Sequence, residues 1–219
     1  MTQEKENLLR EIALQLSHPQ GPKGVEIADM MHETNIGMIS AAIQLLQLEP
    51  HDTVLELGHG NGKHIPLLFN QQNSISYCGL EISELMHTSA SQAIADLYPE
   101  QVRFHLYNGN NLPWQAHTFT KIFTVNTVYF WENPIEMLEE IYRVLQAQGR
   151  FCLTFAHKDF MQTLPFTKYN FTLYNPSDIK NIITQTAFRI FTEKPQVEKI
   201  KNNAGEFIPR NFTTFVLTK

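Results

Sequence analysis

The stretch Thr53-Val54-Leu55-Glu56-Leu57-Gly58-His59-Gly60-Asn61-Gly62 decides the fold, because an apolar run leads directly into three glycines at alternate positions. The run from Val54 to Leu57 suits a short strand that is buried on both faces of a parallel sheet. The glycines allow a tight turn and a close approach of the backbone to a ligand, since no Cβ stands in the way. A helix is predicted over 62–69, so the turn lies at the positive end of a helix dipole. Strand, glycine turn and helix in this order bind nucleotide-like cofactors at the carboxyl edge of an open α/β sheet.

Length and composition predict one domain that binds neither nucleic acid nor a membrane. The chain has 219 residues and a net charge of −5, and this length suits a single sizeable core. No run of lysines and arginines provides a basic surface for nucleic acid or anionic lipid. The first ten residues are polar, and no stretch approaches the roughly 20 apolar residues of a membrane span. We therefore expect a cytoplasmic location.

The two cysteines, Cys78 and Cys152, each lie inside an apolar, strand-like segment. This placement predicts two buried free thiols in a reducing compartment. No cluster of cysteines and histidines has the spacing of metal ligands, so no metal site is expected.

Upstream of the glycine turn, the sequence predicts three helices. Apolar residues recur at helical spacing over 4–16, and a turn-rich break follows over 17–24. A second helix is predicted over 25–33. Asn35 is of a residue type that caps helices, so a third helix is expected over 36–48, before Pro50.

Downstream of the turn, strands and helices alternate, as in a parallel sheet with helices on both faces. Strands are predicted over 75–80, 102–107, 122–125 with Phe119 opening it, and 150–156, and helices over 83–97 and 134–145, with a turn at Gly149. After His157, an aromatic insert over 160–174 and a helix over 177–186 precede two strand candidates, 188–197 and 212–217, which the polar stretch 199–210 connects. Two consecutive strands without a helix between them imply an antiparallel hairpin at one edge of the sheet.

The spacing of the glycines narrows the class of cofactor. The turn reads GxGxG rather than the GxGxxG of dinucleotide-binding proteins, which disfavours an NAD-dependent oxidoreductase. No Lys-Ser or Lys-Thr pair follows, so a triphosphate-binding P-loop is excluded. Glu81 ends the second predicted strand, where an acidic residue accepts hydrogen bonds from ribose hydroxyls. Glu56 ends the first strand, where a carboxylate balances a cationic ligand.

Together these residues resemble the class I S-adenosylmethionine-dependent methyltransferases. The stretch Asn108-Gly109-Asn110-Asn111-Leu112-Pro113-Trp114 is similar to the family's Asp-Ala-x-x-Leu-Pro-Phe segment, and residues 119–125 are similar to the strand after it. Arg143-Val144-Leu145-x-x-x-Gly149 is similar to the family's Arg-Val-Leu-Lys-Pro-Gly-Gly turn. The resemblance covers about residues 36–156. Three positions depart from the family pattern: Asn108 and Thr120 stand where an Asp is frequent, and His59 stands where a small residue or Cys is common.

The resemblance implies S-adenosylmethionine as the cofactor, S-adenosylhomocysteine as its product, and a role for each matching residue. The glycines would wrap the amino acid part of the cofactor near Glu56, Glu81 would take the ribose diol, and Ile82 would pack on the adenine. Residues 108–109 would lie at the adenine amino edge, and residues 126–127 beside the methionine part and the sulfonium. The predicted cofactor-binding residues are Glu56, Gly58, His59, Gly60, Asn61, Gly62, Glu81, Ile82, Asn108, Gly109, Asn126 and Thr127. The individual role of His59 is left open.

The resemblance also implies the architecture. The fold class expected is α/β and Rossmann-like: a doubly wound, mostly parallel seven-stranded sheet with an antiparallel C-terminal edge hairpin and an N-terminal helical cap. Residues 1–219 would form a single methyltransferase domain. Within it, residues 1–50 would be the cap or lid, 51–156 the cofactor-binding core, and 157–219 the C-terminal insert and edge strands.

The methyl acceptor is expected to be a small, partly apolar metabolite. Tyr129, Phe130 and Trp131 begin the loop after the fourth strand, where aromatic rings wall off water, although simple core packing explains them equally well. Met38 adds an adaptable apolar lining, and these four residues are the predicted substrate contacts. The N-terminal helices and the insert 160–174 would cover the acceptor. The oligomeric state is left open.

Methyl transfer from a sulfonium is an in-line displacement, in which the protein has to align the reactants and exclude water. A general base is needed only if the acceptor must first lose a proton. By position alone, Tyr129, His157 and His18 are candidates for such a base, and each also has a simpler structural interpretation. The catalytic residue therefore stays unknown at this stage.

Two other functions fit the same residues. One is a protein or RNA methyltransferase whose target is placed by a partner protein. The other is a regulator that binds S-adenosylmethionine without catalysis. The glycines and Glu81 indicate cofactor binding in all three cases, so they do not discriminate among them.

Overall fold

A seven-stranded sheet forms the centre of the protein in the computed structural model, which describes residues 2–94, 96–201 and 205–219. The strands are β1 Thr53–Leu57, β2 Ser76–Glu81, β3 Val102–Leu106, β4 Phe119–Val125, β5 Leu145–Ala156, β6 Arg189–Lys201 and β7 Phe207–Thr218. The helices are α1 Gln3–Ser17, α2 Gly21–Leu46, α3 Ile65–Gln71, α4 Glu84–Ile94, α5 Pro134–Val144, α6 Lys158–Met161 and α7 Pro176–Ile183. Short 3₁₀ helices cover Val128–Phe130 and Pro165–Lys168. Among these described elements, no helix has both the length and the apolar character needed to cross a membrane.

The strand order is β3-β2-β1-β4-β5-β7-β6, and β1 to β5 are parallel to one another. The direction of winding reverses between β1 and β4, and this reversal opens a crevice at the carboxyl ends of the strands. The predicted Rossmann-like, mostly parallel sheet of seven strands is therefore confirmed. The glycine turn leaves β1 directly at this crevice.

The predicted antiparallel edge hairpin is also confirmed, but its strands are longer than expected. β7 pairs antiparallel with β5 on one side and with β6 on the other. The polar stretch 199–210, predicted as a connection, belongs mostly to these two strands. Residues 202–204 of this stretch lie outside the described residues. Among the others, Lys199, Lys201 and Glu206 are exposed, whereas Arg210 is buried. Within the hairpin, Glu198 lies directly opposite Arg210.

The prediction of separate helices over 25–33 and 36–48 is wrong, because residues 21–46 form the single helix α2. Pro22 lies in its first turn, where the ring fits a helix start, so the turn-rich break shortens to 18–20. Asn35 lies within this helix and does not cap one. Its side-chain oxygen accepts hydrogen bonds from two distant residues, Asn126 and Arg210.

Several boundaries differ from the predictions by a few residues; the helix predicted over 177–186, for example, is α7 and ends at Ile183. The helix after the glycine turn begins at Ile65 rather than Gly62, with Pro66 in its first turn. α4 ends at Ile94 rather than Leu97. β5 begins at Leu145, before the expected turn at Gly149, because Leu145 already pairs with Phe119 of β4. The pairing is irregular between Phe119 and Lys121, and it resumes with Lys121 opposite Arg150.

Two apolar clusters fill the two faces of the sheet. Neighbouring side chains of a strand point to opposite faces of the sheet, so successive residues of β5 belong to different clusters. Phe151 belongs to one cluster and Cys152 to the other. Both cysteines are free thiols, with Cys152 buried and Cys78 half-buried. The rigid sheet holds the strand ends in place, and these ends form the floor of the site described next.

Candidate active site at the carboxyl edge of the sheet

A cavity of 810 Å³ lies at the carboxyl edge of the sheet. Its lining joins the glycine turn, the ends of β2 and β4, and side chains from α1, α2, the segment 160–171 and the β6–β7 hairpin. Of the residues predicted to bind cofactor or acceptor, those that line the cavity are Glu56, Gly58, His59, Gly60, Asn61, Glu81, Ile82, Gly109, Asn126, Thr127, Tyr129, Phe130 and Trp131. The structure therefore brings most of the predicted site together around one space.

The glycine turn is held tightly at its first position. Gly58 has a φ of 75°, which favours glycine. A Cβ added there would lie 2.5 Å from Cγ2 of Thr127, so the end of β4 touches the turn. The Gly58 N–H donates to the Leu80 carbonyl at 2.8 Å, which ties the turn to β2 as well.

Gly62 has a different function in the turn from the one predicted. It does not line the cavity. A Cβ at this position would lie 3.0 Å from Cβ of Ala90 and 3.2 Å from Cδ1 of Ile65. Its missing side chain therefore allows close packing of the turn against α4.

The Glu81 carboxylate organises the backbone on both sides of the crevice. Oε1 accepts the N–H groups of Ile82 and Ser83 at 2.8 and 3.1 Å, and Oε2 accepts the N–H of Gly60 at 3.0 Å. Burial raises the pKa of Glu81, while these three N–H groups act in the opposite direction. A carboxylate offers about four lone-pair sites, so capacity for one further donor is left on a residue that lines the cavity.

Glu56 lies at the end of β1 within a buried hydrogen-bond cluster. Its Oε2 accepts from the Tyr77 hydroxyl at 2.5 Å and is 2.8 Å from Nε2 of His64. Burial raises the pKa of Tyr77, so its hydroxyl stays protonated and donates. Within the described residues, Oε1 of Glu56 has no hydrogen-bond partner. The sequence gives His64 no distinguishing motif, and its function as the second partner of Glu56 was missed.

His59 packs beneath the glycine turn. Its ring lies against Gly79, where an added Cβ would be 2.6 Å from its Cδ2, and its centroid is 4.8 Å from that of Phe104. Nδ1 is 2.8 Å from the carbonyl oxygen of Gly60, so Nδ1 carries the proton. Burial lowers the pKa of His59 to about 4. The imidazole is therefore neutral near pH 7 and braces the turn against β2 and β3.

Besides Gly62, two residues predicted to bind cofactor or acceptor lie outside the cavity lining. Asn108 is exposed, and its Oδ1 accepts from the N–H groups of Asn110 and Asn111, which is a side-chain-stabilised turn. Met38 is fully buried in the core and meets the cavity wall only through a 3.5 Å contact of its sulfur with Nδ2 of Asn126. The expected contact of Met38 with a substrate is corrected accordingly.

Asn126 connects the end of β4 to three parts of the cavity wall. It has a φ of 60°, a conformation that Asn tolerates better than most residues. Its Oδ1 accepts the N–H of Ala156 at 3.1 Å and also lies 3.1 Å from the hydroxyl oxygen of Tyr129. Its Nδ2 donates to Oδ1 of Asn35 at 3.2 Å. The strand end is thereby linked to α2.

The aromatic residues predicted after β4 form one side of the cavity. The Phe130 ring centroid lies 4.6 Å from that of Phe171, and the Tyr129 centroid lies 6.0 Å from the same ring. Trp131, the third of the predicted aromatic residues, also lines the cavity. Phe171 belongs to the predicted insert, so the insert does reach the cavity.

None of the three candidate bases is suited to its role in this structure. The Tyr129 hydroxyl donates to the Ala156 carbonyl at 2.7 Å, and burial raises its pKa, so it holds its proton near neutral pH. Nε2 of His157 is 2.8 Å from Oγ1 of Thr213, and burial lowers the pKa of this histidine. Neither His157 nor His18 lines the cavity.

Arg210 and His32 are among the cavity-lining residues that sequence reasoning missed. Arg210 is 4% exposed, and it donates to Oε1 of Glu198 from Nε and Nη2 at 2.9 and 2.7 Å. It also donates from Nη1 to Oδ1 of Asn35 at 3.1 Å and from Nη2 to the Thr34 carbonyl. His32 lies 6.5 Å from His64 between ring centroids, and burial lowers the pKa of His32. The only feature of the sequence that indicated Arg210 was the alternation of inward-facing and outward-facing residues along the hairpin strand.

Comparison with known proteins identifies the central part of the chain. Residues 55–153 match the family model described as a methyltransferase domain. The central part of the chain is therefore similar to a methyltransferase domain, and its fold is similar to that of S-adenosylmethionine-dependent methyltransferases of known structure.

Individual relatives and structures support the same identification. Over 108 residues, the chain is 33% identical to the bifunctional biotin biosynthesis protein BioHC of Teredinibacter turnerae, covering 47% of this chain and 19% of that protein. An S-adenosylmethionine-dependent methyltransferase structure from Aquifex aeolicus has a TM-score of 0.70 at 17% identity, covering 91% and 100% of the two chains. The protein solved in complex with the Haloferax volcanii Trm112 methyltransferase activator has a TM-score of 0.74 at 17% identity, covering 88% and 94%.

The match to the methyltransferase domain has defined limits. The chain spans between 19% and 62% of the lengths of the curated relatives it matches. The matched region runs from β1 into β5 and so contains the glycine turn and Glu81. It excludes α1, α2, the insert and the hairpin, which supply the opposite side of the cavity.

Proposed function

We propose that the protein transfers a methyl group from S-adenosylmethionine to a small, partly apolar acceptor. One observation carries this proposal: the glycine turn and the Glu81 carboxylate open onto the same cavity as the aromatic group of Phe130 and Phe171. A cavity that has a nucleoside-binding edge on one side and aromatic rings on another suits a reaction between a cofactor and a second small molecule. When bound, the cofactor supplies a methyl group activated by a positively charged sulfur.

The residues around the turn suit the cofactor part of the cavity. We assign the ribose diol to Glu81, because its carboxylate has capacity for one further donor and is fixed by three backbone N–H groups. Glu56, through its free Oε1, is assigned to the ammonium of the methionine part. The other residues assigned to the cofactor are Gly58, Gly60, Asn61, Ile82, Gly109, Asn126 and Thr127. His59 and Gly62 are assigned to supporting the turn.

The chain's remaining task is to orient the acceptor and to exclude water. Tyr129, Phe130 and Trp131 are assigned to the acceptor side, together with Phe171 from the insert. Residues 1–50 and the insert would act as the cap of a single domain that extends over residues 1–219. The free cysteines are compatible with the proposed cytoplasmic location.

Two alternatives make different predictions. A target placed by a partner protein is favoured by the likeness to the protein solved with the Trm112 activator. A non-catalytic regulator would bind the cofactor equally well. Activity that appears only when a partner protein is added would support the first, and binding without any acceptor-dependent turnover would support the second.

Calorimetry with S-adenosylhomocysteine and NADH, followed by a turnover assay, tests the proposal. S-adenosylhomocysteine should bind and NADH should not, and at least one compound of a metabolite panel should accelerate conversion of S-adenosylmethionine. Glu81→Gln should weaken S-adenosylhomocysteine binding, whereas Glu84→Gln, an exposed substitution at the start of α4, should not. Tight binding of NADH alone would refute the proposal.

A further inference from the structure

We propose that the methyl acceptor presents a carboxylate, which is bound by the side-chain amide of Asn35 and by Arg210. This inference rests on the proposed function and specifies the substrate class of the same cavity. It concerns residues outside the matched methyltransferase domain, on α2 and on the β6–β7 hairpin. The remaining body of the acceptor would lie among the aromatic rings.

The orientation of the Asn35 amide follows from its neighbour. A guanidinium only donates hydrogen bonds, so the Asn35 atom 3.1 Å from Nη1 of Arg210 must be the oxygen. The same oxygen accepts from Nδ2 of Asn126 at 3.2 Å. Nδ2 of Asn35 consequently lies at the other end of the amide. It has no hydrogen-bond partner among the residues that the structure describes, although Asn35 lines the cavity.

Arg210 adds positive charge and one more donor at the same place. Its Nε and both hydrogens of Nη2 are engaged with Glu198 and the Thr34 carbonyl, and one hydrogen of Nη1 is engaged with Asn35. The second Nη1 hydrogen is without a partner in the described part of the chain. Lys201 also lines the cavity, whereas Glu198 does not. This part of the cavity therefore offers unpartnered donors on Asn35 and on Arg210, whose charge is paired with Glu198, and the ammonium of Lys201 also lines the cavity. Of the described residues, no carboxylate lines it beside these donors.

Asn126 places these donors beside the reaction centre. Its side chain contacts Asn35 on one side and the Tyr129 hydroxyl on the other, and Tyr129 lies next to Phe171. Thr127, the next residue, touches the glycine turn at Gly58. Donors, aromatic rings and the turn are therefore contiguous.

The positions of the imidazoles that line the cavity agree with an acceptor that is already ionised and needs no base. The imidazoles among the described lining residues are His32, His59 and His64, and they lie near the glycine turn: His64 bonds Glu56, His32 stacks on His64, and His59 braces the turn. A carboxylate oxygen attacks the methyl carbon as the carbon–sulfur bond breaks. The electron pair of that bond stays on sulfur, the two opposite charges cancel, and no proton has to move. An amine acceptor, in contrast, would arrive protonated and need a base.

The test measures binding to the protein saturated with S-adenosylhomocysteine, by calorimetry with decanoate, methyl decanoate and decylamine. Decanoate should bind about tenfold or more tightly than either of the others, because charge-assisted hydrogen bonds form only with the carboxylate. Asn35→Asp keeps an oxygen for Arg210 and Asn126 but replaces the free donors with a charged oxygen. It should weaken decanoate binding at least tenfold and strengthen decylamine binding.

The control is Asn181→Asp, the same change on the exposed side of α7, which should leave all three affinities unchanged. Asn35→Met, which removes the donors without adding charge, should also lower the preference for decanoate, and it replaces Asn35→Asp if that variant folds poorly. Equal binding of decanoate and methyl decanoate by the parent, or unchanged decanoate affinity in both Asn35 variants, would overturn the inference. A failure of S-adenosylhomocysteine to bind would instead refute the proposed function.

Discussion

The two sides of the cavity are held in place by different kinds of contact. The turn side, residues 58–62 with Glu81, is fixed by buried hydrogen bonds to backbone N–H groups and by close packing. The cap side, α1 with residues 158–171, is fixed by fewer and more exposed contacts. Arg10 lies 4.5 Å above the Tyr169 ring, and Asn170 donates to Ser17 at 3.1 Å. Buried, satisfied polar groups are costly to separate, whereas exposed contacts open readily. We therefore expect the turn side to be preorganised and the contacts of the cap side to open more readily.

Removal of the Glu81 carboxylate should have the largest effect on the turn side. Glu81→Ala leaves the N–H groups of Gly60, Ile82 and Ser83 without their acceptor, and each unsatisfied buried group costs about 1–3 kcal/mol. We expect the free energy of unfolding to fall by about 3 kcal/mol or more, measured by urea denaturation. Glu84→Ala, at an exposed acid three residues later, is the control. Equal losses in the two variants would contradict a rigid turn side.

A methyl group at Gly58 should have the next largest effect. Gly58→Ala places an L-residue at a φ of 75°, at a cost of about 1–2 kcal/mol, and adds a clash with Thr127. Gly21→Ala shares the positive φ but meets no atom within 4 Å, so it isolates the clash, which should cost about 1–3 kcal/mol more. The double variant Gly58→Ala/Thr127→Ser should recover most of this difference in denaturant unfolding. If Gly58→Ala and Gly21→Ala are equally stable, the contact of the turn with β4 is unimportant.

The buried imidazole of His59 should make the turn side sensitive to acid. Its pKa is lowered to about 4, so between pH 6.5 and pH 4 the unfolded chain binds more protons than the folded chain, and stability falls as the pH falls. From pH 7 to pH 5 this contribution should lose about 2 kcal/mol. His59→Phe should show a correspondingly shallower dependence of the unfolding free energy on pH, while the other histidines contribute equally to both proteins. Parallel pH profiles would exclude this role of His59.

The smallest effect on stability should come from the cap side. Arg10→Gln removes the cation above the Tyr169 ring, a contact worth about 0.5–1 kcal/mol at an exposed site. Hydrogen exchange of the α1 amides should accelerate by a few fold, with exchange around residues 58–62 unchanged. Arg189→Gln, at an exposed position of β6, is the matched control. Exchange that accelerates equally on both sides of the cavity would remove the contrast between them.

The same contrast explains what could be predicted from the sequence. The turn side was predictable because its determinants are local: an apolar run, alternating glycines, and an acid at the end of the next strand. The contact of Glu81 with Gly60 spans only 21 residues. The family resemblance then supplied the cofactor, which local chemistry alone left open.

The part of the site formed by Asn35 on α2 and Arg210 on β7 was less predictable, because its contacts join residues that are distant in the sequence. Asn35 has the appearance of a helix cap, yet its partners Asn126 and Arg210 are 91 and 175 residues away. Those contacts occupy the side chain that a cap would need, and the helix continues through it. The role of His59 could not be predicted either, because only the structure shows that its ring packs against Gly79 and Phe104.

The position of β7 has a consequence for the synthesis of the protein. β7 follows β6 in the chain but lies between β5 and β6 in the sheet. Until residues 207–218 have left the ribosome, β5 keeps an unpaired edge and β6 has no neighbour in the sheet. An unpaired strand edge invites association with other chains. The pairing of β7 with β5 and β6 therefore covers this edge and at the same time brings Arg210 to the cavity.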